Sequence, residues 1–287
     1  MDILRVFARF LDIQFYALGS HSKETHVRFI KTIIITTLGF ALPTGIAQAR
    51  ENEERPLVFA ASSLTSVLTK HASNWSQTSG KSIPRLSFGA SATMVRQIRS
   101  GAPAHIFISA NPAWTQLLAD AGETKSINNI AGNQLVLVKP ANQILQGTFQ
   151  PTEAYFRRLI GTRRLAMANP ELAPLGAYTQ SYLRKIGVWD KLEGNLAYAQ
   201  NARQTLRLVE RGGLAAFVYK SDAFNNEKVA IIFSAPAALT GQITYQAALL
   251  QHSSPSSLSF YEYLMSAEAR PTWIKYGFED FDYSASK

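Results

Sequence analysis

The sequence predicts an α/β protein of two lobes, each a mostly parallel sheet flanked by helices, joined by two hinge crossings. Three observations carry this reading. The chain has 287 residues, room for about two domains of roughly 100–150 residues each. Its apolar segments alternate between short strand-like runs and longer stretches with helical spacing, the order that builds a parallel sheet covered on both faces. The alternation is broken twice by extended segments, at Lys139-Pro140 and along Ile243 to Leu250, which read as the outward and return crossings.

The N-terminus stands apart from this pattern. Arg28 and Lys31 precede an apolar stretch from Thr32 to Leu42, and Ala47-Gln48-Ala49 closes it. A basic flank, a short apolar core and an Ala-x-Ala site make a cleavable export signal, with cleavage expected after Ala49 and the mature protein in the periplasm. Translation starting near Val27 would give this signal an ordinary length. Residues 1–49 are therefore set aside as extension and signal. Residues 50–137 with 247–287 form one expected lobe, and 138–246 the other.

The first lobe opens with a buried strand, Leu57 to Ala61. Leu64, Val67, Leu68, Ala72 and Trp75 then recur at helical spacing, and Gly80 stops the helix. Leu86 to Phe88 is a second strand, followed by a helix through Met94, Val95 and Ile98 that closes near Gly101. Ile106 to Ile108 is a third strand before a helix carrying Trp114, Leu117 and Leu118. Leu135 to Val138 is a further buried strand. In the second lobe, strands are read at Leu165 to Ala168, Leu196 to Ala199, Ala215 to Tyr219 and Val229 to Phe233. Helices fall at Gly176 to Ile186 and at Ala202 to Arg211, where Gly212-Gly213 supplies the stop. The tail from Ser256 to Phe278 reads as two amphipathic helices carrying Phe260, Leu264, Trp273, Ile274 and Tyr276.

Composition excludes several classes. The chain is 46% hydrophobic and 17% charged, with no cysteine. It is therefore neither disordered nor a multi-span membrane protein, and it has no disulfide framework, thiolate nucleophile or lipidated cysteine. Removing the signal takes away five of the 29 basic and three of the 20 acidic residues and leaves a net charge of about +7. No basic run interleaved with aromatics accompanies that charge, so it reads as a weak anion-attracting field and not as a nucleic-acid surface.

Four strand-to-helix junctions share one chemistry: Ala61-Ser62-Ser63, Gly89-Ala90-Ser91, Pro174-Leu175-Gly176 and Gln200-Asn201-Ala202. The first turn of a helix presents amides with no acceptor in their own helix, at the positive end of its dipole. Several such turns converging hold an anion without a charged side chain. Serine hydroxyls add donors, and small residues let the anion approach the backbone. Ser and Asn also cap helices routinely, which alone accounts for any single junction.

The segments VFAASSLTSVL, LSFGASATMVRQIRSGAP, IFISANPAW, GNQLVLVKP, LAMANPELAPLGAY, LRKIGVWDKL, LRLVERGG, FVYKSDA and IKYGF follow one another in order across nearly all of the mature chain. Together they closely resemble the molybdate-binding proteins of ABC-type importers, within the bacterial extracellular solute-binding proteins. The resemblance implies a two-lobed periplasmic-binding-protein fold of type II, molybdate or tungstate as ligand, no cofactor, a membrane permease as partner, and a monomer. It further implies hydroxyl and amide donors from Ser63 and Ser91, amide donors from Leu175 and Ala202, and the hydroxyl of Tyr219 closing on the ligand from the second lobe. No cation site is implied, since the molybdenum arrives as the oxyanion.

Four positions depart from the family pattern. Asn169-Pro170 replaces Asp-Pro, Gln200 to Arg203 lacks an acidic residue before the donor, Leu175 is large, and His105 stands where Asp is common, beside a strand. Rival readings are weaker. Neither Ser63 nor Ser91 lies in G-x-S-x-G, and no histidine shows a recognisable partner, so a serine hydrolase is disfavoured. A regulatory effector domain would need a DNA-reading helix-turn-helix where the export signal stands. A binding protein for sulfate or another tetrahedral oxyanion is the remaining alternative.

Overall fold

A computed structural model describes residues 55–143 and 147–280. The export-signal reading lies outside these residues. Among them, no helix is long and apolar enough to cross a membrane.

The chain forms two mixed five-stranded sheets. The first contains β1 (Leu57–Ala61), β2 (Arg85–Gly89), β3 (Ile106–Ser109), β4 (Thr124–Asn133) and β10 (Ile243–Leu250), in the order β2-β1-β3-β10-β4. The second contains β5 (Leu135–Pro140), β6 (Leu165–Ala168), β7 (Leu196–Ala199), β8 (Ala216–Tyr219) and β9 (Val229–Ser234), in the order β7-β6-β8-β5-β9. β1 pairs in parallel with β2 and β3, and β6 with β7 and β8. β10 and β5 run against both of their neighbours. Each reversed strand is thus the first one made after the chain changes sheet.

Both crossings differ from the sequence expectation. The chain leaves the first sheet at Asn133 and has entered the second by Leu135, so Lys139-Pro140 lies inside β5, paired with Ala230 and Val229. Pro140 ends the strand, where its missing N–H costs least. Ile243 to Leu250 is no free crossing either. It is a fully paired strand of the first sheet, made after a short helical turn at Ala237–Thr240. Its largely apolar character, broken only by Thr244 and Gln246, follows from burial on both faces.

The helices are α1 (Thr65–Ser79), α2 (Ser91–Arg99), α3 (Pro112–Asp120), α4 (Glu153–Ile160), α5 (Pro174–Lys185), α6 (Trp189–Leu192), α7 (Ala202–Glu210), α8 (Lys220–Ala223), α9 (Ala237–Thr240), α10 (Pro255–Leu264) and α11 (Arg270–Lys275). In the first sheet, strand alternation sends Phe59, Phe107 and Ala248 to one face, against Met94, Val95 and Ile98 of α2 and Leu118 of α3. Val58, Ala60, Ile106 and Ile108 face the other side, against Leu68 and Trp75 of α1, Phe260 and Leu264 of α10 and Trp273 of α11. In the second sheet, Val136, Val138, Ala216 and Val218 meet Leu206 and Val209 of α7. Leu137, Leu165 and Phe217 meet Tyr182 and Leu183 of α5. A buried Leu or Phe contributes about 1.5–3 kcal/mol, so these layers fix the sheets and aim the carboxyl ends of their parallel strands.

Candidate functional site

Six parallel strands end at Ala61, Gly89, Ser109, Ala168, Ala199 and Tyr219. In open α/β sheets such carboxyl ends are where ligands sit. Between them lies a small cavity of about 10 Å³, lined by Ser62 and Ser63, Gly89 to Ser91 and Ala110 from the first lobe, and by Ala173 to Leu175, Asn201, Ala202 and Tyr219 from the second. Pockets for drug-sized molecules run to about 300–1,000 Å³, so this one leaves room for no more than a very small group of atoms. All five residues expected from the sequence line it, and no lining residue carries a charge.

Three of the helix starts around the cavity have no side-chain cap. Ser63 lies in a 3-10 turn capped by Ala61, Ser91 opens α2 behind Ala90, and Leu175 is the second residue of α5 behind Ala173; none of these three caps makes a side-chain hydrogen bond. Alanine is among the poorest N-caps. Three helices directed elsewhere are capped by polar side chains, Asn111 for α3, Thr152 for α4, and Ser254 with Ser257 in a reciprocal box for α10, whereas α1, α6, α8, α9 and α11 start without one. Ser63 and Ser91 are therefore not caps, and no cap side chain takes the amides at these starts. Only α7 has a capped start here, with Asn201 Oδ1 accepting from the Gln204 amide at 3.0 Å. Ala202, its first residue, has no acceptor within its own helix.

Gly176 allows the close approach of α5. A Cβ there would stand 2.3 Å from the Ala168 carbonyl oxygen and 2.6 Å from the Pro170 nitrogen. The turn before it is held by Asn169, whose Oδ1 accepts from the Glu171 amide at 2.8 Å. Asparagine performs this as aspartate would, so the departure at 169 leaves the turn intact. His105 is buried beside its strand, with Nδ1 accepting from the Leu57 amide at 3.1 Å, away from the cavity.

Tyr219 ends β8 with 1% exposure, and its hydroxyl has no hydrogen-bond partner. Burial raises its pKa well above the ordinary tyrosine value, helped by Tyr245, Tyr178 and Asp222 nearby. It is therefore a permanent O–H donor, and an unpaired buried hydroxyl costs about 1–3 kcal/mol. Ser63 Oγ lies 2.8 Å from Tyr245 Oη, and Ser109 Oγ donates to Ser91 Oγ at 3.2 Å.

The lobes touch directly around the cavity. The Ala92 amide donates to the Leu172 carbonyl at 3.2 Å, and Tyr178 Oη to the Ala110 carbonyl at 3.1 Å. Arg203 turns its guanidinium outward. Nη2 donates to Ser66 Oγ at 2.7 Å, Nη1 lies 3.6 Å from Asp222, and its amide reaches Ser62 Oγ at 3.4 Å. Sequence reasoning assigned no role to Tyr178, Ser66 or Asp222, because nothing local marks a residue that acts across a cleft.

A family model for the bacterial extracellular solute-binding proteins matches residues 56–279. The chain belongs to this family. Among characterised members, the solute-binding protein is 34% identical over 245 residues to the molybdate-binding protein ModA of Escherichia coli, covering 84% of this chain and 95% of that one. It is 29% identical to the ModA of Haemophilus influenzae, over 86% and 95% of the two chains. The solved periplasmic molybdate-binding protein of Azotobacter vinelandii superposes with a TM-score of 0.69 at 21% identity, over 79% of this chain and all of the other. That last likeness gives the fold: a two-lobed α/β solute-binding protein.

Proposed function

We propose that this chain is the substrate-binding component of an ABC-type importer for molybdate, taking tungstate as well, and delivering the anion to a membrane permease. Ser63, Ser91, Leu175, Ala202 and Tyr219 hold the anion. The observation carrying this reading is the convergence of uncapped helix starts and an unpartnered tyrosine hydroxyl on one small uncharged cavity. The relatives named molybdate-binding support the choice of ligand.

The chemistry suits a tetrahedral dianion. Ser63 and Ser91 each offer a hydroxyl and an amide, Leu175 and Ala202 an amide each, and Tyr219 a hydroxyl. Each hydrogen bond to a charged group contributes about 1.5–3 kcal/mol, giving roughly 10–20 kcal/mol gross. Dehydration of the anion and lost rigid-body freedom cancel much of this. Fixed neutral dipoles set a cavity radius, whereas a buried arginine would hold any anion by charge. The open protein would capture the anion on Ser63 and Ser91, and the second lobe would then close with Leu175, Ala202 and Tyr219, because only the closed form makes those contacts. Export by cleavage after Ala49 and action as a periplasmic monomer without catalysis or cofactor complete the proposal.

Calorimetric titration of the chain from Arg50 with molybdate, tungstate, sulfate and phosphate tests it. Molybdate and tungstate should bind one per chain in the nanomolar to micromolar range, and Ser63→Ala or Ser91→Ala should weaken both at least tenfold. Sulfate binding as tight as molybdate would overturn the assignment.

A further inference from the structure

Tyr245 does not line the cavity, yet it touches the residue that opens it. The ring is fully buried, on β10 just after the second crossing. Its hydroxyl has two polar neighbours: Ser63 Oγ at 2.8 Å and Asn133 Nδ2 at 3.4 Å. Asn133 is the last residue of β4, at the first crossing, and is 4% exposed. Its amide cannot be flipped freely. Oδ1 accepts from the Gln134 amide at 2.9 Å and the Ser221 amide at 3.3 Å, while Nδ2 also donates to Ser221 Oγ at 2.8 Å. An amide nitrogen only donates. Tyr245 Oη therefore accepts from Asn133, and the one hydrogen-bond acceptor beside its own proton is Ser63 Oγ, so the fully satisfied arrangement has Tyr245 donating to Ser63. Ser63 accepts in turn, and its single O–H is left for the cavity.

We propose that Asn133 and Tyr245 are positioning residues that fix the direction of the Ser63 hydroxyl, so that it meets the ligand only as a donor. This rests on the anion-binding reading above. The relay starts from an asparagine that also holds Ser221, at the start of α8 in the second lobe. The same contact that ties the lobes at the crossing thus orients a donor in the first lobe. A hydroxyl without this director would be free to present a lone pair to a negatively charged oxygen.

A double-mutant cycle tests the relay, with molybdate affinity read by calorimetry. Tyr245→Phe keeps the ring and removes the director. In the otherwise wild-type chain it should weaken binding about tenfold, and in a Ser63→Ala background by less than twofold, because the hydroxyl it orients is gone. Asn133→Asp provides a second variant. A carboxylate there accepts from Tyr245 and reverses the relay, so molybdate should weaken by more than tenfold while hydrogen phosphate, which brings its own proton, loses less. Equal losses from Tyr245→Phe in both backgrounds, or no loss in either, would overturn the relay alone. Failure of the unmodified chain to bind molybdate would overturn the relay together with the function it rests on.

Discussion

The hydroxyl of Tyr178, on α5 of the second lobe, donates to the carbonyl of Ala110 in the first, at 3.1 Å. Arg203 reaches across in the same sense to Ser66. Neither side chain lines the cavity. These bonds exist only with the lobes together, so they act on the lifetime of the closed form. A net contribution of about 0.5–1.5 kcal/mol per bond corresponds to a roughly two- to twelvefold change in rate. Tyr178→Phe and Ser66→Ala should each speed release of bound anion by that factor in a stopped-flow chase. Capture should change little, since it precedes closure; a slowed capture with unchanged release would show that the bonds do not report closure.

Removal of the Tyr219 hydroxyl should separate binding from stability. Tyr219→Phe deletes a donor to the anion and should weaken molybdate by about 1–2 kcal/mol. The same hydroxyl is buried without a partner in the protein, so its loss should leave the melting temperature of the anion-free chain unchanged or higher. Unchanged affinity would remove Tyr219 from the site.

Gly176 sits where a methyl group has nowhere to go, with backbone atoms of Ala168 and Pro170 inside van der Waals range. Within an ordinary helix, Gly to Ala adds about 1 kcal/mol of stability. Here overpacking should reverse the sign and cost about 1–3 kcal/mol, pushing the start of α5 and the Leu175 amide outward. Denaturant unfolding and anion titration of Gly176→Ala should fall together.

Two buried groups give stability opposite dependences on pH. Burial lowers His71 from 6.5 to about 3, within the aromatic packing of Tyr263 and Trp273. Burial raises Asp222 from 3.8 to about 7, opposed by Arg203 and assisted by Glu210. Between the folded and unfolded values of His71, only the unfolded chain is protonated there, so its contribution is lost as pH falls below about 6.5. For Asp222 only the folded chain holds the proton in its window, so stability is lost as pH rises from about 4 to 7. Each slope is at most about 1.4 kcal/mol per pH unit, and they overlap with opposite sign. Compared with wild type, Asp222→Asn should steepen the loss of stability in acid. His71→Phe should make stability fall more steeply from pH 4 to 7. Unfolding free energies measured across that range decide it, and parallel curves for all three proteins would refute the pairing.

Much of the fold was legible in the sequence because the central strands carry their own signal. Leu135 to Val138 and Leu165 to Ala168 are unbroken apolar runs, as strands buried on both faces must be. β4 was not legible. Its Ser126, Asn128 and Asn129 carry little strand propensity, and it is an edge strand whose polar side chains are satisfied late, by Tyr261 and Gln246. The crossings were misplaced for a related reason. Pro140 marks where a strand ends, whereas the change of sheet occurs at the inconspicuous Gln134. The five cavity residues came from resemblance to a family and from turn chemistry, and the structure gathers them. Tyr245 and Asn133 left no local trace, because 112 positions separate two side chains that form one chain of hydrogen bonds.

The alanines at 61, 90 and 173 record a compromise that selection has to keep re-making. A serine or aspartate in their place would cap a helix and stabilise the fold by about 0.5–2 kcal/mol, and random mutation offers such replacements freely. Each would also put a lone pair over the amides of the cavity. A library of this chain screened only for heat resistance should drift toward polar residues at those three positions and grow blind to its ligand, whereas one screened for growth on scarce anion should hold them as alanine.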